Sequence, residues 1–576
     1  MDKRNNPKRN FLESLKKLCF NPLFILTLIT WGMVSYLLSV QMRIGVPYWD
    51  VYNYLNNAII FAGMGGENIN TINYLSPLVP FLTSLVFRMG YVSINAIFII
   101  SAIFFILGVL GLYFILKERF NPIQSLSGTL IFISFPVVLS WAVSGCTDIP
   151  GISLSISSIL FLVIGLKKDS RFLYLILPTM VMAFMVRYIS GLIILPMSLY
   201  ILMNYDDIKQ LKNLKKILAG IVLELGVLIA GLAYFFTRLK TGDSVFSLFI
   251  SIASSSFTGV NDVAHNTNVL YYIQNLLNYI SIGPFWGTYQ QIMNPSQGLP
   301  SLLSYFLVSI VILGLIIYFQ KIFLKKGIFK DNCILNVVNL LKISLVAALL
   351  MILVASFIYQ LFVFGEIGLF ALLFVLYWFL VRKKSGSVKE NLKMDVMFLS
   401  WFGAYLIFQS ILPLKVDRYF ITMAPALAYF IVLGLSESIP LIESKIKLIN
   451  VKSGLIYVFI ALIFLSCSTA TFFGHSPKKT FTIDIEHSCQ WINSSDLVYK
   501  DKVICSDYPN AVNWYLKKEI KGGYPRLYND NDDKFEDYLK KIDADYYIET
   551  TRKAHPKIKG YRIIKTFGVV AVYHKI

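Results

Sequence analysis

The sequence predicts a polytopic α-helical membrane protein of about thirteen transmembrane helices, followed by a small extracytoplasmic α/β domain. Three observations predict it. Of 576 residues, 56% are hydrophobic and only 15% are charged, where soluble domains average about 25% charged. Apolar runs of about 16 to 24 residues recur between short basic loops, the length that a helix needs to cross a hydrocarbon core ~30 Å thick. After Phe473 the composition turns charged and polar, with short β-like segments.

The apolar runs lie at 22–40, 93–116, 122–143, 150–166, 172–187, 189–204, 217–237, 302–320, 343–364, 366–381, 395–412, 418–435 and 454–472. The first follows a basic segment but no A-x-A-like cleavage site comes after it, so it reads as a retained anchor. Two outer loops, 41–92 and 240–301, are too long to be simple connectors. Each carries aromatic and apolar stretches, Tyr74 to Met89 and Val269 to Trp286, the pattern of helices lying in the membrane interface. The chain thus divides into a transmembrane body, 1–473, and a soluble domain, 474–576. In that domain strands are expected at Val503–Ser506, Tyr546–Glu549, Tyr561–Phe567 and Val569–Tyr573, and helices near His487–Asn493, Asn510–Lys517 and Lys534–Ile542. It contains no Gly-rich dinucleotide or phosphate-loop fingerprint.

The net charge of +20 matters through its distribution, because Lys and Arg near span ends set orientation. With a cytosolic amino terminus, the inner segments hold 28 basic residues and the short outer ones 7. The other 18 of the 53 lie in the last hundred residues, where 14 acids nearly balance them. This bias predicts a multi-pass cell-membrane protein with a cytoplasmic amino terminus and an extracytoplasmic carboxy-terminal domain. Clusters such as Arg382, Lys383 and Lys384 flank spans, so anionic membrane lipids are the expected partner of the excess charge, and a nucleic-acid partner is excluded.

Cys19, Cys146, Cys333 and Cys467 lie in or beside spans, and no C-x-x-C pair exists. Cys489 and Cys505 of the outer domain either form a bridge or are two buried thiols. Asn493-Ser494-Ser495 is a glycosylation sequon. His265 and His475 have no metal-ligand spacing, so no cofactor is expected and no motif supports a divalent metal. Glu224, inside the seventh run, reads as an interhelical hydrogen-bonding group.

A charge at the bilayer centre costs at least ~2.5–3.5 kcal/mol, which makes charges at span ends informative. Four features fall on the outer side: Trp49-Asp50, Thr147-Asp148-Ile149-Pro150, Arg187-Tyr188 and Lys415-Val416-Asp417-Arg418-Tyr419. Carboxylates and cations gathered at one interface suit a site that deprotonates a hydroxyl while holding a phosphate.

Those segments carry a resemblance. Tyr48 to Tyr54, Asn73 to Leu78, Thr147-Asp148, Val186 to Gly191, and Asp417-Arg418-Tyr419 followed by Pro425 resemble, in order and placement, the lipid-linked-sugar glycosyltransferases of the GT-C fold. That family includes protein O-mannosyltransferases and the aminoarabinose transferases of lipid A. The resemblance spans most of 20–435 and implies transfer of a sugar from a polyprenyl-phosphate carrier to a protein, lipid or glycan acceptor at the outer face. It implies Asp50 as catalytic base or acceptor-orienting carboxylate and Asp148 as the second-loop acid. Val51 stands where many relatives have an acid, and Ser76 where many have a basic residue before the loop proline. The donor-phosphate contacts are therefore expected among Arg88, Arg187, Lys415 and Arg418, with Tyr188 and Tyr419 beside them.

Each assignment has a structural competitor. Asp50 and Asp148 are both placed to cap helices. Arg187 and Arg418 can snorkel as interfacial anchors beside their tyrosines. The competing function classes are a transporter, whose polar sites usually lie near the midplane, a flippase, ligase or polymerase of lipid-linked polysaccharide, and a membrane scaffold.

Overall fold

The computed structural model describes residues 21–65, 75–205, 211–238, 266–283, 288–323, 337–381, 386–445, 453–524, 532–550 and 555–576. Asn73, Tyr74, His265, Trp286, the basic cluster at 382–384, Cys19 and Cys333 lie outside these residues.

Eight helices among the described residues are long and apolar enough to cross a membrane: Pro22–Ile44, Asn95–Lys117, Asp148–Lys167, Leu302–Ile322, Phe362–Phe379, Val388–Ile411, Ala424–Glu443 and Gly454–His475. Shorter apolar helices occupy Leu78–Arg88, Ser170–Val186, Tyr188–Met203 and Ser344–Ile358. The outward faces of the long helices carry Leu28, Trp31, Phe306 and Ile312 in the open, as lipid-facing surfaces do. The chain is a multi-pass membrane protein.

Local chemistry sets the helix ends. Asn21 caps the first helix by accepting from the Leu23 N–H at 3.0 Å, with Pro22 in its first turn, and Gly45 ends it at φ +83°. The run expected as one span at 122–143 is two helices, Pro122–Ser134 and Pro136–Trp141. Pro136 lacks the N–H that would continue the ladder, and the break turns Trp141 toward the end of the bundle that carries the C-terminal domain. Leu302–Phe323 and Ala424–Lys445 cross so closely at Gly314 and Gly434 that a Cβ on Gly314 would sit 1.8 Å from the Gly434 carbonyl oxygen. Close approach of this kind is how small residues let membrane helices pack by dispersion.

The described parts of both long loops fold against the bundle. Leu78–Arg88 confirms a helix within the first aromatic stretch. Ahead of it lies a helix that the sequence pattern did not predict, Asp50–Ala62, whose residues 51–61 are all buried. Within the described part of the second stretch, up to Gly283, the helices are two short ones, Tyr271–Gln274 and Leu276–Ile280. A two-residue strand β1 (Ile282–Gly283) follows, paired antiparallel with β2 (Leu299–Pro300).

The C-terminal domain is a five-stranded sheet with helices Phe481–Ser495, Pro509–Leu516 and Asp532–Lys541. Its strands are β3 (Ile504–Ser506), β4 (Lys521–Gly522), β5 (Tyr546–Glu549), β6 (Tyr561–Phe567) and β7 (Val570–Lys575), in the order β4-β3-β5-β7-β6. β4, β3 and β5 run parallel, and β7 and β6 complete the sheet antiparallel. Cys489 and Cys505 are buried, unbridged thiols. Asn493 is exposed in the last turns of its helix.

The domain is docked at defined points. The Thr480 N–H and hydroxyl both donate to the Ile44 carbonyl at 2.8 Å. Asn56 donates to the Asn510 carbonyl at 2.9 Å, and the Tyr52 and Tyr515 hydroxyls meet at 3.1 Å. The helix Pro509–Leu516 therefore lies directly on Asp50–Ala62.

Candidate active site

Gly45 ends the first helix, and five residues later Asp50 begins the next, so its carboxylate sits at the end of the bundle under the C-terminal domain. No side chain caps the Asp50–Ala62 helix at its amino end, and none caps Asp148–Lys167. Both carboxylates are instead turned to arginines. Arg418, in the short 3-10 helix Asp417–Thr422, donates from Nη2 to Asp50 Oδ2 at 3.0 Å, and its Nη1 lies 3.7 Å from Asp148 Oδ2. Arg187 Nη1 pairs with the other oxygen, Asp148 Oδ1. Residues from four separated stretches thus form one chain: Asp50, Arg418, Asp148, Arg187.

The two carboxylates differ in access. The Asp50 side chain keeps 26% of its surface exposed, whereas that of Asp148 keeps 1%. Asp148 is sealed between two guanidiniums, where its charge is balanced, and Asp50 faces an opening. Aromatic rings complete the surroundings. The Arg418 guanidinium lies 4.1 Å from the Tyr48 ring, 5.4 Å from Trp141 and 5.8 Å from Tyr419, and Arg187 lies 5.0 Å from the same Tyr419 ring. Weakly hydrated and planar, a guanidinium suits such stacked, partly desolvated positions better than an ammonium does. Arg418 is buried and the Arg187 side chain keeps only 12% of its surface exposed, each turned to a carboxylate.

Two neighbouring groups stay neutral. Burial pushes the Tyr48 hydroxyl up to about 12 against the opposing pull of Arg418. Burial likewise pushes the Cys146 thiol, 3.9 Å from Arg418 Nη1, up to about 11. Cys146 is thus a thiol near neutral pH rather than a nucleophilic thiolate.

The remaining expected cations are engaged elsewhere. Arg88 donates to the Phe61 carbonyl at the carboxy end of the Asp50–Ala62 helix. Lys415 donates to the carbonyls of Gln409 at 2.9 Å, Ser410 at 2.6 Å and Leu412, closing the end of Ser387–Ile411. Tyr188 packs on Phe184 with ring centroids 5.3 Å apart. Asp50, Asp148, Arg187, Arg418 and Tyr419 come together, and Arg88, Lys415 and Tyr188 serve neighbouring backbone and packing.

Sequence reading quoted Asp417, the residue before Arg418, only within motifs and missed the groups that hold it. Asp417 Oδ1 accepts from the Tyr271 and Tyr279 hydroxyls, each at 2.7 Å, and Oδ2 accepts from the Ser296 N–H at 2.9 Å and hydroxyl at 2.7 Å. Tyr271, Tyr279 and Ser296 come from a loop whose composition gives no sign of a carboxylate site. Tyr48 was quoted only within a motif, and Trp141 was hidden inside an apolar run. Among the described residues, no three His, Cys, Asp or Glu side chains gather so as to hold a metal ion.

A family model described as dolichyl-phosphate-mannose-protein mannosyltransferase matches residues 75–234. No curated protein matches the chain. Among solved structures, ArnT from Cupriavidus metallidurans in the apo state aligns with a TM-score of 0.54 at 11% identity, over 96% of this chain and 97% of that one. The same protein bound to undecaprenyl phosphate aligns with a TM-score of 0.50 at 12% identity, over 95% and 98%. The chain therefore has the GT-C fold of membrane glycosyltransferases, shared with ArnT over nearly the whole length of both proteins.

Proposed function

We propose that the chain transfers a sugar from a polyprenyl-phosphate carrier to an acceptor at the extracytoplasmic face, with inversion at the anomeric carbon and Asp50 as general base. One observation carries this reading: Arg418 bridges part-exposed Asp50 and sealed Asp148, with Arg187 alongside. The reaction creates an anionic phosphate leaving group and a proton to be taken up, and the site offers two guanidiniums beside an accessible carboxylate. The phosphate oxygens of the donor compete with Asp50 for Arg418, whose paired donors fit them. That exchange releases the Asp50 carboxylate. Asp50 then takes the acceptor hydroxyl proton as the acceptor oxygen bonds to the anomeric carbon. The bond from that carbon to the phosphate oxygen breaks, and its electron pair leaves on the phosphate. Because the donor brings its own leaving group, one carboxylate suffices where retaining hydrolases use two. Asp148 holds Arg187 and Arg418 in place.

The undecaprenyl phosphate bound by ArnT and the dolichyl-phosphate-mannose in the matching family's description support a polyprenyl-phosphate carrier here. The acceptor is a protein, lipid or glycan. The test uses purified protein in nanodiscs with a sugar-loaded carrier and scores free polyprenyl phosphate against acceptor glycosylation. The two should appear together, and Asp50→Asn should slow both by about 10²–10⁴-fold, the usual worth of a positioned general base, with thermal unfolding unchanged. Near-wild-type transfer by Asp50→Asn would remove the base from the mechanism. Carrier cleavage without glycosylation of any acceptor would remove the transferase.

A further inference from the structure

Trp49, the residue before Asp50, keeps 37% of its surface exposed. From the C-terminal domain, Tyr508 reaches the same place. Its ring stands edge-on to Trp49 with centroids 5.0 Å apart and an interplanar angle of 79°. It is held by Phe481 at 5.4 Å and Tyr52 at 6.2 Å. Its backbone is fixed as well: the Tyr508 N–H donates to Ser506 Oγ at 3.0 Å, and Pro509 starts the helix docked on Asp50–Ala62. A rigid aromatic pair, partly open, therefore adjoins the accessible carboxylate.

A pyranose ring is bifacial, with an apolar C–H face and a rim of hydroxyls. The negative face of an aromatic ring attracts the first, and a carboxylate accepts hydrogen bonds from the second. We propose that Trp49 and Tyr508 form a platform for a pyranose ring whose hydroxyls reach Asp50, so that the C-terminal domain supplies half of a saccharide subsite. The platform rests on the transferase reading only for the source of its sugar, which is either the donor sugar or a sugar of the acceptor.

The experiment has a carrier-free arm and a carrier arm. In the first, saturation-transfer NMR measures contact between the protein and methyl pyranosides of mannose, glucose, galactose and N-acetylglucosamine. Wild type and Tyr508→Phe, which keeps the ring, should show transfer to the C–H face of at least one sugar, and Trp49→Ala and Tyr508→Ala should each lose it. Equal transfer in all four proteins, or none in wild type, overturns the platform. In the second arm, binding of a short polyprenyl phosphate is compared with that of the same carrier bearing mannose. If the ring bound is the donor's, the two alanine variants lose about tenfold in affinity for the loaded carrier, the factor set by roughly 1.4 kcal/mol, and nothing for the bare one. If it is the acceptor's, the loaded carrier binds them normally and the acceptor KM rises instead. A wild type that binds neither carrier removes the transferase reading and leaves the first arm to judge the platform.

Discussion

Arg418 and Asp148 are buried together, and a buried charge left without its partner costs far more than a paired one. Asp148→Asn leaves Arg187 facing a neutral amide in a sealed position, so this variant should lose about 3–5 kcal/mol of stability. Asp50→Asn, at an open position, should lose little. Thermal unfolding of the two variants in the same detergent checks the contrast, and equal midpoints would show that Asp148 is not the structural centre of the cluster. Arg418→Lys keeps the charge but not the fork of paired donors. It should weaken donor use at limiting carrier while sparing the fold, which a donor titration of initial rates would show. At this scale the sequence was informative where chemistry is costly: Asp50, Asp148, Arg187 and Arg418 stood out as charges at span ends. It did not show that Lys415 and Arg88 hydrogen-bond carbonyls at helix ends, because such a cation looks, in one dimension, like a cation awaiting a phosphate.

Three described residues of the second long loop, Tyr271, Tyr279 and Ser296, converge on one carboxylate of the bundle. Four hydrogen bonds converge on Asp417, the residue before Arg418, and the loop is further tied down where Trp141 Nε1 donates to the Met293 carbonyl at 3.2 Å. Asp417 is a positioning residue, and Asp417→Asn should let the Arg418 turn drift, raising the donor KM several-fold more than it lowers kcat. An unchanged KM would mean that the loop and the arginine are independent. The helix periods of the spans were legible because each is a long apolar run. The Asp50–Ala62 helix was not, because it is buried on all sides and its Asn and Tyr residues read as a polar loop. The break at Pro136 was legible in principle, since proline inside an apolar run interrupts the hydrogen-bond ladder.

Across the whole molecule, the basic bias of 28 to 7 predicts that the bundle end carrying the C-terminal domain faces the extracytoplasmic side. A cysteine placed near Asp532 should react with an impermeant thiol reagent added outside intact cells, and one placed near Gly386 should not. The reverse pattern would invert the protein and move the site to the cytosol. Four of the five strands of the C-terminal domain were readable almost residue for residue because they are short runs rich in β-branched and aromatic residues between turn signals, whereas the two-residue β4, Lys521–Gly522, carries no such pattern. Its docking was not, since the contacts of Asn56 with Asn510 and Tyr52 with Tyr515 join positions more than four hundred residues apart.

Asp50 and Arg418 are separated by 368 residues of chain. A ribosome adding about 5–20 residues per second delivers the carboxylate to the membrane roughly 20–70 s before its arginine, and Tyr508 arrives later still. For most of its biosynthesis the nascent protein consequently holds an unpaired Asp50 and no working site. A message cut short before Arg418 is reached leaves Asp50 without this partner, so the ion-paired cluster assembles only late in synthesis.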